Sequence, residues 1–155
     1  MSQKNYPQRP FQLPEDATEI VIVRHGASQA HVEGEPFELI EGGHADPPLA
    51  PEGVAQATLV GARLAAEPLD ALFVTSLQRT HQTAQPLIEA TGLTPTVIPE
   101  LREVHLGDWE AGEMRVRFAN GDPLIADLFE QQRWDVIPGA ESMEAFAERI
   151  QTGIS

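Results

Sequence analysis

The sequence predicts an α/β domain with at least some parallel sheet. Three observations carry this. The run Glu19-Ile20-Val21-Ile22-Val23 places four β-branched residues in succession, the pattern of a strand buried on both faces. Two further short apolar segments, Leu72-Phe73-Val74 and Thr96-Val97-Ile98, recur downstream. Stretches of helical periodicity separate the three, and alternating strands and helices favour parallel pairing.

The elements follow in chain order. Residues 1–18 carry Pro7, Pro10 and Pro14 and no apolar run, and read as an extended tail rather than a signal peptide. The first strand leads directly into Arg24-His25-Gly26. Residues 27–50 form a long loop punctuated by Gly34, Pro36, Gly42, Gly43, Pro47 and Pro48, and a loop of this length is uncommon unless it is functional. A helix starts at Pro51-Glu52-Gly53, where proline suits the first helical position and a carboxylate complements the helix dipole. Its Val54, Ala57, Gly61 and Leu64 share a face small enough to pack closely on a sheet, and Pro68 ends it. After the strand at 72–74, Thr75-Ser76 supply a cap. A second helix runs to Gly92, with a kink expected at Pro86. Residues 100–137 are less regular, with a helix expected over 123–133. Pro138-Gly139 make a turn. The last helix covers 141–151, with Met143, Phe146, Ala147 and Ile150 facing inward. Residues 19–155 are thus one domain. A further strand is expected after the last helix, so the domain is expected to be incomplete at its C-terminal end.

Composition narrows the function. The 155 residues include 24 acidic and 10 basic side chains, a formal net charge of −14. Such a surface repels nucleic-acid backbones, so an anionic ligand must be held by a local basic pocket. No cysteine is present, which excludes disulfides, thiolate metal sites and a cysteine nucleophile. No apolar run reaches membrane-spanning length, and a cytoplasmic location is the default.

A local basic pocket is what Arg24-His25-Gly26 can supply. Ligands of open α/β sheets bind beyond the carboxyl ends of the strands. The second strand also ends near a guanidinium, that of Arg79 in the first turn of the next helix. Two guanidinium forks flanking one imidazole form a phosphate clamp. A lone histidine near a strand end is usually structural; a strand-end Arg-His-Gly paired with a second strand-end arginine is not an ordinary coincidence.

At these residues the chain resembles the histidine phosphatase superfamily, also called phosphoglycerate-mutase-like. VIVRHGAS (21–28) is similar to its nucleophile motif, DPPLAPEGVAQA (46–57) to the segment entering its first helix, TSLQRTHQTAQPL (75–87) to its second arginine motif, ELREVHLGDWEA (100–111) to its acid motif, and PGAESMEAFAERI (138–150) to its late helix. The resemblance implies a three-layer sandwich, a mostly parallel central sheet flanked by helices, with the C-terminal part missing here. It implies that His25 is the nucleophile, phosphorylated during turnover, with its attacking nitrogen unprotonated and the other donating to a backbone carbonyl. Arg24 and Arg79 would hold the phosphoryl oxygens. Glu103 would be the general acid. Neither a metal nor another cofactor is implied, since arginines take the place of the cation.

This chain departs from the family pattern in three places. His31 stands where many members have a phosphate-binding Asn; it either donates a hydrogen bond there or is a plain loop residue. Ala111 stands where Gly commonly follows. The second catalytic histidine of the family, in a Ser-His-Gly-like motif after the last helix, lies beyond this sequence, and His44, His81 and His105 are poor substitutes. His81 and His105 are read as solvated, as are Glu100, Arg102 and Glu110. Trp109 and Trp134 are read as packing residues. Glu33, Glu35, Glu38 and Glu41 form a solvated acidic run that disfavours highly anionic substrates. The implied activity is hydrolysis of a small phosphorylated metabolite, with no nucleic-acid or membrane partner and the oligomeric state open. Phosphoglycerate mutase chemistry is the alternative within the family, disfavoured by Gln29-Ala30-His31 and Glu41-Gly42-Gly43-His44. A noncatalytic phosphate-binding module is the alternative outside catalysis.

Overall fold

The computed structural model of the chain describes residues 14–155. Most of the expected N-terminal tail lies outside the described residues; at its end, Ala17 closes a turn onto the Pro14 carbonyl. In order along the chain come helix α1 (Pro51–Leu64), strand β1 (Phe73–Val74), helix α2 (Gln78–Thr91), strand β2 (Thr96–Val97), helix α3 (Glu113–Asn120), helix α4 (Leu124–Gln131) and helix α5 (Met143–Ile154). Short 3-10 turns occupy Pro99–Leu101 and Gly107–Trp109. The two strands pair in parallel, Phe73 opposite Thr96 and Val74 opposite Val97. The parallel α/β expectation thus holds on a small scale, in a chain that is otherwise mostly helix and loop.

The expected first strand is not one. Ile20–Val23 forms no regular element; among the described residues no backbone hydrogen bond ties it to a neighbour, and Ile22 is 91% exposed. β-branched residues bias the chain toward extension, but a strand exists only when a second strand accepts its N–H and C=O groups.

Packing joins α1 to α2 rather than laying α1 on a sheet. Gly53, Ala57 and Gly61 are the buried positions of α1, while Val54 is half exposed. A Cβ on Gly61 would come within 2.7 Å of the Pro86 side chain, so the missing side chain lets the two helices meet. α2 continues through Pro86 and ends at Gly92, whose left-handed conformation (φ 73°) returns its N–H to the Ile88 carbonyl at 2.8 Å, a standard glycine stop. Its start is not capped as expected. Leu77 precedes the helix without a side-chain cap, and the Gln78 N–H donates instead to the Asp46 carboxylate at 2.9 Å. The cap therefore arrives from the long loop.

That loop is folded back on itself by single antiparallel bridges, Ser28 with Leu49, Val32 with Glu35 and Leu39 with Ala45. The core gathers Leu49, Ala57, Val74, Leu77, Leu87 and Trp109. α3 falls inside the stretch read as irregular. α5 starts at Ser142, whose hydroxyl accepts the Ala145 N–H at 3.1 Å. Ala147, read as inward, is exposed, and no residue of α5 is fully buried. Among the described residues no helix is long and apolar enough to cross a membrane.

Candidate functional site

The site begins with a close approach of two backbones. Gly26 and Gly53 lie so near that a Cβ on Gly26 would fall 2.4 Å from the Gly53 carbonyl oxygen, and one on Gly53 would fall 2.0 Å from that of Ala27. The N-terminus of α1 thus seats directly on the turn that follows His25. The same turn is tied to α2: the Gly26 N–H donates to Thr83 Oγ1 at 3.1 Å, and that hydroxyl donates to the Arg79 carbonyl at 2.7 Å. Thr83 lies four residues after Arg79, on the same helix face, so one helical turn carries both the arginine and the residue that fixes the histidine turn.

This lacing brings His25 and Arg79 together. His25 Nδ1 lies 2.7 Å from the Gly26 carbonyl oxygen. Because a carbonyl only accepts, Nδ1 carries the proton, and Nε2 presents a lone pair. Arg79 Nε donates to that Nε2 at 3.3 Å. Arg79 is 8% exposed, and its Nη1 donates to the Ala45 carbonyl at 3.1 Å and lies 3.9 Å from the Asp46 carboxylate. Burial lowers the guanidinium's pKa from its ordinary value, while the negative charges of Asp46, Glu103 and Glu110 oppose that. An arginine so placed stays protonated.

Glu103 follows the first 3-10 turn. Its side chain is exposed, with Oε1 accepting the Val104 N–H at 3.2 Å, and its charge is felt at both Arg79 and Arg149. Arg24 is exposed, with no hydrogen-bond or ion-pair partner among the described residues. The His31 ring packs against Gly112 and edge-on to Phe37 at 5.3 Å between centroids. It lines a cleft of about 340 Å³ with Arg115 and Asn120, and no hydrogen bond joins it to His25, Arg24 or Arg79. A second cleft, of about 280 Å³, lies between Phe37, Pro48 and Asp46; His25 lines neither. Among the described residues no cluster of three or more His, Cys, Asp or Glu side chains is arranged to hold a metal ion.

Several residues read as solvated are structural ties. Glu110 accepts the Ala45 N–H at 2.8 Å with one oxygen and the Leu106 N–H at 2.9 Å with the other, so it bridges the long loop and the segment after Glu103. Arg102 donates to the Glu41 carbonyl at 2.9 Å and to that of Pro99 at 3.0 Å. His105 stacks edge-on to His44 at 5.1 Å. A count of charged residues near a motif cannot reveal such ties, because the partners of Glu110 and Arg102 are backbone groups distant in sequence or hidden in a turn, and that of His105 is a ring 61 residues away. Trp109 is buried, and Trp134 donates its indole N–H to the Glu141 carbonyl at 2.7 Å. Asp46, which caps α2 and faces Arg79, carried no local signal; Thr83 carried one, its spacing from Arg79.

Comparison with known proteins gives the chain's family and its likeness in fold. The family model described as histidine phosphatase superfamily (branch 1) matches residues 20–155. The adenosylcobalamin/alpha-ribazole phosphatase of Salmonella typhimurium is 30% identical over 136 residues, covering 86% of this chain and 64% of that protein. The Photorhabdus laumondii protein named "Probable phosphoglycerate mutase GpmB" is 28% identical, covering 88% of this chain and 61% of its own length. Among solved structures, the alpha-ribazole phosphatase from Shigella flexneri superposes with a TM-score of 0.64 at 26% identity, covering 85% of this chain and 63% of that one. A mycobacterial glucosyl-3-phosphoglycerate phosphatase superposes with a TM-score of 0.62 at 27% identity, covering 84% and 58%. The chain thus spans just under two thirds of the length of the relatives it matches.

Proposed function

The chain belongs to the histidine phosphatase superfamily, and from that premise we propose that it serves as a phosphomonoester hydrolase, working through phosphorylated His25 on a small phosphorylated metabolite in the cytoplasm. The observation that carries the reading is the pair His25–Arg79: an imidazole with Nδ1 held by a carbonyl and Nε2 bare, facing a buried guanidinium 3.3 Å away.

A phosphate monoester entering this site takes over the Arg79 N–H groups, which frees the Nε2 lone pair. Nε2 attacks phosphorus, a P–N bond forms, and the ester P–O bond breaks. Arg79 and the exposed Arg24 hold the nonbridging oxygens as charge redistributes. The Glu103 carboxyl gives its proton to the departing alcohol oxygen. Water then attacks the phosphohistidine, losing a proton to the Glu103 carboxylate as the P–N bond breaks and inorganic phosphate leaves. The relatives named as phosphatases support hydrolysis. The relative named as a mutase keeps phosphoryl transfer between hydroxyls as the alternative.

The test is rapid quenching of the full-length protein with a substrate labelled in its phosphate. Label on His25, absent in His25→Ala, together with release of inorganic phosphate, is the expected result. Label that moves to a phosphoglycerate acceptor instead of water would mark a mutase. No labelled protein, with bound but unreacted phosphate ester, would mark a noncatalytic binder.

A further inference from the structure

We propose that His44 is a positioning residue for Glu103, holding the acid-bearing turn through a single imidazole-to-backbone hydrogen bond. This rests on the reading of Glu103 as the general acid.

His44 is 7% exposed and sits 59 residues before Glu103 in the chain. Its Nε2 lies 3.1 Å from the Glu103 carbonyl oxygen. That oxygen only accepts, so Nε2 is the protonated nitrogen and Nδ1 the bare one. Nδ1 is buried and has no hydrogen-bond partner among the described residues. A buried polar atom left unpaired is costly, so the ring is placed for its other nitrogen.

The surrounding loop is shaped to deliver that ring. The Gly43 N–H closes onto the Ile40 carbonyl, and the Ile40 N–H onto the His44 carbonyl, both at 2.9 Å. Gly42 and Gly43 both have positive φ, 89° and 81°, which a side chain rarely adopts. A Cβ on Gly43 would also meet the His105 ring at 2.8 Å. The next residue is fixed too, since the Ala45 N–H donates to Glu110. His44 thus stands on a closed turn.

On the other side, the turn carrying Glu103 is held by α5. Arg149 donates to the carbonyls of Glu100 at 2.6 Å and Arg102 at 3.0 Å, and reaches that of Glu103 at 3.4 Å. Arg149 fixes the base of the turn, and His44 supplies the shorter bond at Glu103 itself. Among the described residues the Glu103 side chain has no hydrogen bond beyond its neighbour's N–H, so its backbone carbonyl is where its position is set. A proton donor displaced by about 1 Å can lose on the order of a hundredfold in rate.

The experiment compares His44→Gln, His44→Asn and Glu103→Gln with wild type in the full-length protein. The substrates are para-nitrophenyl phosphate, whose leaving group needs no proton, and glycerol phosphate, whose leaving group does. A Gln amide nitrogen reaches the place of Nε2; an Asn amide falls short of it. Expected for His44→Asn is a loss of kcat on glycerol phosphate of about tenfold to a hundredfold, with para-nitrophenyl phosphate nearly unchanged. His44→Gln should restore most of it. Equal losses on both substrates, or Gln no better than Asn, overturn the role of His44 while leaving Glu103→Gln free to show its own leaving-group dependence. If Glu103→Gln shows none, the reading of Glu103 fails and the positioning role with it. Nitrogen-15 NMR gives a check independent of turnover: wild-type His44 should be neutral with its proton on Nε2, and a proton on Nδ1 overturns the proposal.

Discussion

Arg79 Nε lies 3.3 Å from His25 Nε2 and donates to it, although 54 residues separate the two. A guanidinium only donates, so in this contact Nε2 is the acceptor and turns its lone pair to the arginine. The pair is held by backbone on both sides: Gly26 O fixes Nδ1, and Thr83 ties the Gly26 N–H to the Arg79 carbonyl. The proposed nucleophile and the proposed anion holder are therefore separate groups, and they can be removed separately.

His25→Ala should reduce turnover by about 10⁴-fold or more, as removal of a nucleophile does, while inorganic phosphate still binds through Arg79 and Arg24. Steady-state kinetics with isothermal titration of phosphate checks both halves. Activity close to wild type would remove His25 from the chemistry.

Arg79→Lys should weaken phosphate binding by about tenfold or more, since a single ammonium replaces a planar fork. Asp46 and the Ala45 carbonyl are arranged around the guanidinium's Nη1, and a lysine does not reproduce that geometry. Titration with phosphate at fixed ionic strength measures it; an unchanged dissociation constant would mean that Arg79 serves packing alone.

Gly53→Ala should cost about 1–3 kcal/mol of stability, the usual range for overpacking, because the new Cβ would meet the Ala27 carbonyl oxygen at 2.0 Å and backbone has little room to move. The turn bearing His25 must shift to relieve it, so phosphate affinity should fall as well. Urea unfolding together with phosphate titration tests this. A stable variant with wild-type affinity would show that the two backbones separate freely.

Glu141→Gln should destabilise the protein by about 1–2 kcal/mol at neutral pH. Both Arg149 contacts to this carboxylate are short, 2.6 and 2.7 Å, and the arginine's hydrogen bonds hold the Glu141 carboxyl below its ordinary value of 4.5. A carboxyl depressed on folding stabilises the native state above its unfolded pKa and stops doing so as pH falls through the lower folded value. The gap between wild type and variant should therefore be full at pH 7 and shrink toward zero in acid below the folded pKa. Urea midpoints across this range decide it; a gap that persists undiminished in acid would assign the cost to packing.

Local sequence determined the helices α1 and α2 and the short strand that follows each, because proline at a helix start, glycine at a helix stop and apolar runs act over a few residues. It also singled out His25 and Arg79, through an Arg-His-Gly step and an arginine in the first turn of α2. What it could not determine is whatever depends on a partner far along the chain. Ile20–Val23 has the composition of a strand but no ladder, since hydrogen-bonded pairing is a property of two segments. The cap of α2 comes from Asp46 and not from Thr75 or Ser76. His31 packs against Gly112 and Phe37. Glu110, Arg102 and His44 bind backbone groups that no local pattern announces. Extended or helical preference is paid out residue by residue along the chain, whereas the satisfaction of a buried N–H, C=O or guanidinium is settled only when distant segments meet.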